Sequence, residues 1–209
     1  MTMKQGTHES GRSMIEMLGV LAIIGVLSVG GIAGYSQAMS KFKVSKTTDQ
    51  VQTMVTNIRT LFTGQRTYNG LDGKNAYTMG ILTDETWDAT TSAASNAYGG
   101  SILFGTPNNK KYFSITYNGL SQDACTRLVM ADWGDSSSGL IGIIAQSTAQ
   151  TAPADTTTSW TAAEGKSGKG TFLTSSKTEA TGIPVILTSA VGACANGVDN
   201  AASVTWIYR

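Results

Sequence analysis

The chain has 209 residues and a formal net charge of +1, and charged residues make up only 14% of it. This balance gives no bulk electrostatic reason to expect binding to a specific nucleic acid or to an acidic surface. The chain holds a single histidine, His8, close to its N-terminus, so a zinc site or a histidine-activated nucleophile is not expected in a folded domain. We therefore expect a protein that is not an enzyme and uses no cofactor.

An uncharged apolar run of 19 residues, Met17 to Tyr35, follows a polar N-terminus. As a helix it would span about 28 Å, close to the hydrocarbon thickness of a bilayer. Three interpretations are open. The run is a secretory signal cut before Met39, a permanent membrane anchor, or a segment that is first held in the membrane and then withdrawn into a protein assembly.

Glu16 stands just inside the N-terminal edge of this run. A carboxylate there costs roughly 2.5–3.5 kcal/mol or less, depending on depth, and so requires a partner. A signal peptide or a plain anchor has no use for such an acid, whereas an assembly can supply a cation. Gly30, Gly31 and Gly34 are either ordinary membrane-helix glycines or a site of close helix packing that can also extend.

The helical pattern continues beyond Tyr35, although the sequence becomes polar. No proline interrupts residues 12–62, and Gly64 is a suitable stop, so the sequence predicts one helix over residues 12–63. Apolar residues recur at helical spacing in its second half and predict a stripe that faces a domain. They are Val44, Val51, Met54 or Val55, Ile58, and Leu61 or Phe62.

Residues 64–209 are expected to form a globular head. Strands are predicted at residues 112–117, with a turn at Asn118-Gly119, and at residues 140–146, 172–174, 183–188 and 203–209, and a helix is predicted at residues 122–133. Residues 147–181 are rich in Thr, Ser, Ala and Gly and are interpreted as mostly exposed loop. The predicted fold class is α+β, with a mostly antiparallel sheet packed against the C-terminal half of the long helix.

Two cysteines, Cys125 and Cys194, are expected to form a disulfide that closes a loop of 70 residues, the alternative being two buried free thiols. A disulfide requires an oxidising compartment. It would therefore place the head outside the cytoplasm.

The stretch GRSMIEMLGVLAIIGVLSVGGIAGYSQAM resembles the N-terminus of type IV pilins, and more closely that of the type IVb branch, which includes toxin-coregulated and conjugative thin-pilus pilins. The segment YFSITYNGLSQDACTRL is similar to the region around the first cysteine of conjugative type IVb pilins. The resemblance implies a leader of residues 1–11, a cut after Gly11, and Glu16 as the fifth residue of the mature chain. The family's first mature residue, which is N-methylated, is usually Phe or Met, and here it is Arg12.

The resemblance implies a major pilin with the type IV pilin fold. Such a subunit would be stored in the inner membrane through residues 12–35, cut by a prepilin peptidase, and polymerised by an inner-membrane assembly platform and an ATPase into an extracellular filament for adhesion, aggregation or conjugation. Its principal partner would be further copies of itself, with Glu16 meeting the new amino group of Arg12 on a neighbour. The alternatives are a minor pilin, a type II secretion pseudopilin, or a secreted or anchored binding domain that does not polymerise.

Other motifs have simpler interpretations. The GKS at residues 165–167 lacks the first glycine of a phosphate-binding loop, since that position is Trp160. The acids between Asp84 and Asp88 do not have calcium-loop spacing and are interpreted as solvated or capping groups. Three lysines follow the apolar run, and they are expected to be solvated or paired with acids on neighbouring subunits. They are Lys41, Lys43 and Lys46. Trp133, Trp160 and Trp206 are expected to be packing anchors, and of these Trp160, in the polar loop, is the likeliest surface contact.

Overall fold

A computed structural model describes residues 10–134, 138–153, 171–173, 181–195 and 200–209. The helices are α1 (Ser10–Phe62), α2 (Gly73–Thr78), α3 (Pro107–Lys110), α4 (Gln122–Met130) and α5 (Leu187–Cys194). The strands are β1 (Trp87–Asp88), β2 (Ala93–Ser95), β3 (Ser101–Gly105), β4 (Phe113–Leu120), β5 (Leu140–Gln146), β6 (Thr171–Leu173), β7 (Thr181–Gly182) and β8 (Ala202–Tyr208). The chain divides into two compact units, Met1–Phe42 and Lys43–Arg209.

The strands of the second unit form one sheet in the order β1-β2-β3-β4-β8-β5-β6-β7. Neighbouring strands run antiparallel, except that β5 and β6 are parallel. β8 comes last in the chain, yet it lies between β4 and β5 in the middle of the sheet. All seven of its residues are buried, because both faces of the sheet are covered there. The predicted strands at 140–146 and 203–209 and the predicted antiparallel sheet are confirmed.

The C-terminal half of α1 contributes its apolar stripe to the core of this unit. Val51, Met54, Val55, Ile58 and Phe62 are at most 7% exposed and belong to the same buried cluster as the sheet residues. Where the sequence left a choice, Met54 and Val55 are both buried. Phe62 is buried and Leu61 is 46% exposed. The stripe forms a helix because its apolar positions recur every three or four residues, which places them on one face.

The opposite face of the central strands carries polar side chains that are buried. The hydroxyl oxygens of Thr116 and Thr205 lie 2.7 Å apart, across β4 and β8. The amide of Gln150 donates to Ser203 Oγ at 2.8 Å, and Ser203 Oγ donates to Thr148 O at 2.5 Å. Residues 148–150 therefore cover this face through hydrogen bonds, which offset the cost of burying the hydroxyl groups.

Two predictions in this region are wrong. Residues 183–188 do not form a strand, because α5 begins at Leu187 and packs on α4 with Ala190, Ala193 and Cys194 buried. Asn118-Gly119 is not a turn either. It lies inside β4, where three steps from Tyr117 to Leu120 face two steps of β8, the arrangement of a β-bulge.

Gly119 shows why the bulge needs a glycine. Its φ is +73°, and a Cβ there would lie 2.7 Å from the Cα of Gly100 on the adjacent loop. The left-handed conformation and the close approach of two backbones both exclude a larger residue.

The predicted helix at residues 122–133 ends three residues early, at Met130. Ser121 caps its start, with its hydroxyl accepting from Ala124 N at 3.3 Å. Beyond its end, the indole of Trp133 turns back and donates to Leu128 O at 2.5 Å. This hydrogen bond satisfies a carbonyl that the helix leaves free, and it places the indole ring 4.7 Å from that of Trp206.

Cys125 of α4 and Cys194 of α5 form a disulfide with an S–S distance of 2.01 Å and a Cα–Cα distance of 5.9 Å. The predicted disulfide is therefore confirmed. Both cysteines are fully buried, and the two helices that they join pack against each other. The bond ties α5, which precedes β8 in the chain, to α4, the helix that follows β4.

The core contribution of α1 is testable at Ile58, which is 0% exposed. We expect Ile58→Ala to lower the free energy of unfolding of the detergent-solubilised chain by about 2–5 kcal/mol, because it leaves a cavity between helix and sheet. Urea unfolding followed by tryptophan fluorescence measures this change. Leu61→Ala, on the same helix but half-exposed, is the matched control and should cost about 1 kcal/mol or less. Equal losses in the two variants would contradict the assigned packing.

The disulfide gives a second expectation. Replacing both cysteines, as Cys125→Ala with Cys194→Ala, should lower the free energy of unfolding by about 4 kcal/mol, because the unfolded chain gains the entropy of an open 70-residue loop. Unfolding the native chain with and without a thiol reductant provides the control, and reduction should reproduce most of the loss. Unchanged stability in both comparisons would show that the bond contributes nothing.

Candidate assembly surface

The described residues of the first unit are helical, and from Met14 onward the apolar side chains face outward. Among the described residues, α1 is long and apolar enough to cross a membrane by its length and composition, and its most apolar window has a mean hydropathy of 2.2 and is not buried at all. The most exposed large hydrophobic side chains are Met14, Ile15, Val26, Leu27, Val29, Ile32 and Tyr35, at 68–75%. A water-exposed surface of this kind is unfavourable at about 25 cal/mol per Å², so it requires lipid or other protein to cover it.

The glycines of this unit leave part of the helix surface flat. No neighbouring atom lies within 4 Å of the position that a Cβ would occupy at Gly30, Gly31 or Gly34. Because Gly30 and Gly34 are one turn apart, they lie on the same side of α1. Another helix backbone could approach closely there, and the assignment of these glycines to helix packing stays a prediction.

Glu16 is exposed on this helix, and among the described residues nothing forms a hydrogen bond or an ion pair with it. The helix begins at Ser10, so Gly11 and Arg12 lie in its first turn, and Glu16 follows Arg12 by four residues. The structure thus places the proposed cut and the acid within two turns of one helix. Their roles stay predictions.

Two of the three lysines after the apolar run make contacts within the chain. Lys46 forms an ion pair with Glu85, and Lys43 lies over the ring of Tyr98 at 5.5 Å from its centroid. Tyr98 is half-buried, and burial raises the pKa of its phenol to about 12. For Lys46, the expectation of a solvated group or of pairing with a neighbouring subunit is therefore wrong. It anchors α1 to the loop that contains Glu85, a partner 39 residues away that spacing along α1 does not reveal.

The acids between Asp84 and Asp88 serve the local fold. Asp84 accepts a hydrogen bond from the Tyr77 hydroxyl at 2.7 Å. Asp88 accepts from Thr91 Oγ1 and from Thr90 N, both at 2.8 Å, and these bonds lower the pKa of its carboxyl. Within the described part of the chain, no three His, Cys, Asp or Glu side chains come together as a metal site would need.

Two of the tryptophans that the sequence assigns to packing, Trp133 and Trp206, lie in the core. Trp206 is fully buried, with its ring edge-on to Tyr117 at 5.7 Å, and Trp133 is 4% exposed. Trp160 and the GKS at residues 165–167 lie outside the described residues. The described part of the head therefore offers a packed scaffold, and the exposed apolar surface of α1 is the candidate site of assembly.

Comparison with known proteins agrees with this description. The family model described as Bundlin matches residues 37–178. Two curated relatives, both the "Major structural subunit of bundle-forming pilus", come from Escherichia coli O127:H6 (strain E2348/69 / EPEC) and Escherichia coli O111:H-. Each is 29% identical over 134 residues, which cover 63% of this chain and 69% of the relative.

Two solved structures are also similar. A type IVb pilin from Salmonella typhi is 17% identical, with a TM-score of 0.49 and coverage of 81% of this chain and 99% of that one. TcpA, a type IV pilin from the Vibrio cholerae El Tor biotype, is 15% identical, with a TM-score of 0.49 and coverage of 80% and 99%. The Bundlin match spans more than half of this chain. The chain therefore belongs to the bundlin family.

Proposed function

We propose that this chain is the major structural subunit of a type IVb pilus, an extracellular filament built from many copies of the chain. The match to the bundlin family carries the proposal, and both curated relatives are named as major structural subunits. A filament subunit needs a surface through which copies join, and the exposed apolar half of α1 supplies one. The role is mechanical, and no catalytic step is assigned to the chain.

The proposal includes a membrane stage before assembly. The uncharged run from Met17 to Tyr35 would hold the subunit in the inner membrane, with the disulfide-closed head on the oxidising side. A prepilin peptidase would cut between Gly11 and Arg12, and an assembly platform with its ATPase would then extract the subunit. The mature chain would consist of the helix of residues 12–63, whose first part to residue 35 enters the filament core, and the head of residues 64–209.

In the filament core the apolar helices would pack against one another, since only similarly apolar neighbours can replace lipid. Gly30, Gly31 and Gly34 would permit close approach of the backbones. Glu16 would then lie in a low-dielectric environment, where an unpaired carboxylate is strongly unfavourable. The amino group that the cut creates on Arg12 of a neighbouring subunit is the cation that this proposal assigns to it, and the pair would set the register between subunits.

The first test replaces the acid. Glu16→Ala should leave the head folded and its disulfide formed, yet reduce the amount of filament sheared from cells by about tenfold or more, a loss equivalent to about 1.4 kcal/mol. The measurement compares sheared filament with total subunit by immunoblot. Glu16→Asp keeps the charge and is the matched control, which should retain more assembly than Glu16→Ala. Normal piliation by Glu16→Ala would overturn the role of Glu16.

The second test concerns the cut. N-terminal sequencing of sheared filaments should give Arg12 as the first residue, because the proposed cleavage creates that amine. A Gly11→Leu substitution should block cleavage and abolish filaments, while the uncut subunit stays in the membrane fraction. A filament subunit that begins at Met39 would contradict both the cut and the core role of α1.

Arg12→Met separates two possible cations in the same experiment. It keeps the new amino group and removes the guanidinium of a residue that precedes Glu16 by four positions, about one turn of helix. We expect filaments from Arg12→Met in near-normal amounts. Loss of assembly in this variant, with cleavage intact, would transfer the pairing from the amine to the guanidinium.

A further inference from the structure

The Arg59 side chain is held in place where α1 meets the C-terminal end of β8. Its guanidinium lies over the ring of Tyr208, 5.1 Å from the centroid, and Nη2 donates to Arg209 O at 3.2 Å. Gly139 makes room for it, since a Cβ there would lie 2.3 Å from Nη2. The side chain is thus held by an aromatic face, a carbonyl and a glycine.

This guanidinium has donor capacity that the described residues do not use. Its Nε–H is buried and has no hydrogen-bond acceptor among them. Burial raises the pKa of the Tyr68 hydroxyl, and the positive charges of Arg59 and Arg209 partly offset that rise. Both arginines therefore lie near Tyr68. In the described part of the chain, neither arginine forms an ion pair with an acid. Among the described residues, the Nε–H of Arg59 therefore remains able to donate to a further acceptor.

A groove of about 370 Å³ opens beside Arg59. Its lining includes Gln52, Thr56, Asp132, Ser138 and Tyr208. The Asp132 carboxylate accepts from Gly134 N at 3.0 Å and, in the described part of the chain, forms no ion pair with Arg59. The groove is large enough for an acidic side chain, and a guanidinium pairs with a carboxylate through parallel hydrogen bonds.

One exposed acid of the head unit lacks a partner for its side chain. Among the described residues the other acids of this unit are hydrogen-bonded or ion-paired, namely Asp72, Asp84, Glu85, Asp88, Asp123 and Asp132. Asp49 is exposed on α1, and nothing in the described structure donates to its carboxylate. Arg59 follows it by ten residues. That separation is about 15 Å along a helix, beyond the reach of either side chain within one copy.

We propose that in the filament the groove at Arg59 receives the Asp49 carboxylate of a second copy, an inference that rests on the proposed function. Ten residues at 100° each leave the two side chains about 80° apart around α1, so the contact uses two different faces of the subunit. When the groove of each copy receives Asp49 of the next copy in one direction only, the contact is heterologous and propagates from copy to copy. The pair therefore suits a helical polymer.

The test places single cysteines in separate chains, so that any link must join two copies. Cells would co-express Asp49→Cys and Thr56→Cys chains, Thr56 being an exposed residue of the groove, and sheared filaments would be treated with a short bis-maleimide. We expect a cross-linked dimer in filaments that contain both variants and little in filaments that contain either one. Lys74→Cys in place of Asp49→Cys is the matched control and should give no dimer with Thr56→Cys.

A charge exchange gives an independent measure. Asp49→Arg and Arg59→Asp should each reduce sheared filament about tenfold or more, and the double variant should recover most of it. Filaments that show no dimer between positions 49 and 56 would overturn the contact and leave the proposed function standing. Failure of the unmodified chain to form filaments would overturn both. Losses in both single variants without recovery in the double variant would also reject the pairing.

Discussion

The uncharged surface of α1 is the constraint on which the rest of the molecule depends. Large apolar side chains from Met14 to Ile32 are mostly exposed in the single chain. Contact between such an apolar surface and water is unfavourable. It must pass from one apolar environment to another. This helix surface makes the isolated chain incomplete. Under the proposed function, a membrane before assembly and neighbouring helices after it would both meet this requirement.

The second half of α1 solves a different problem with the same secondary structure. There the apolar residues narrow to one stripe, from Val51 to Phe62, and the sheet covers it. Lys46 and Lys43 add polar anchors to Glu85 and Tyr98 at the edge of that contact. One helix therefore carries an all-round apolar segment for partners and an amphipathic segment for its own head, and the change in pattern separates the two tasks.

Much of this arrangement follows from local pattern. Helical spacing predicts the stripe of α1, and alternation predicts β8, because both depend on periods that the residues display directly. The strand predicted at residues 183–188 is wrong because a short apolar run suits a strand or a helix. The packing of α5 on α4 decides between the two. Asn118-Gly119 has turn chemistry but meets Gly100 inside the sheet. The hydrogen bond from Arg59 to Arg209 O joins residues that are 150 positions apart, and no local sequence pattern predicts it.

The position of β8 also determines when the sheet of the head can be completed. This strand is the last of the described strands in the chain, and it separates β3 and β4 from β5 and β6. Until residues 202–208 arrive, the two halves of the sheet have no shared strand, and Cys194 has only just emerged to meet Cys125. The order of synthesis thus delays closure of the head until residues 202–208 have been made. Under the proposed function the subunit would cross a membrane as an extended chain, and it would benefit from that delay because a head that folded early would obstruct its own passage.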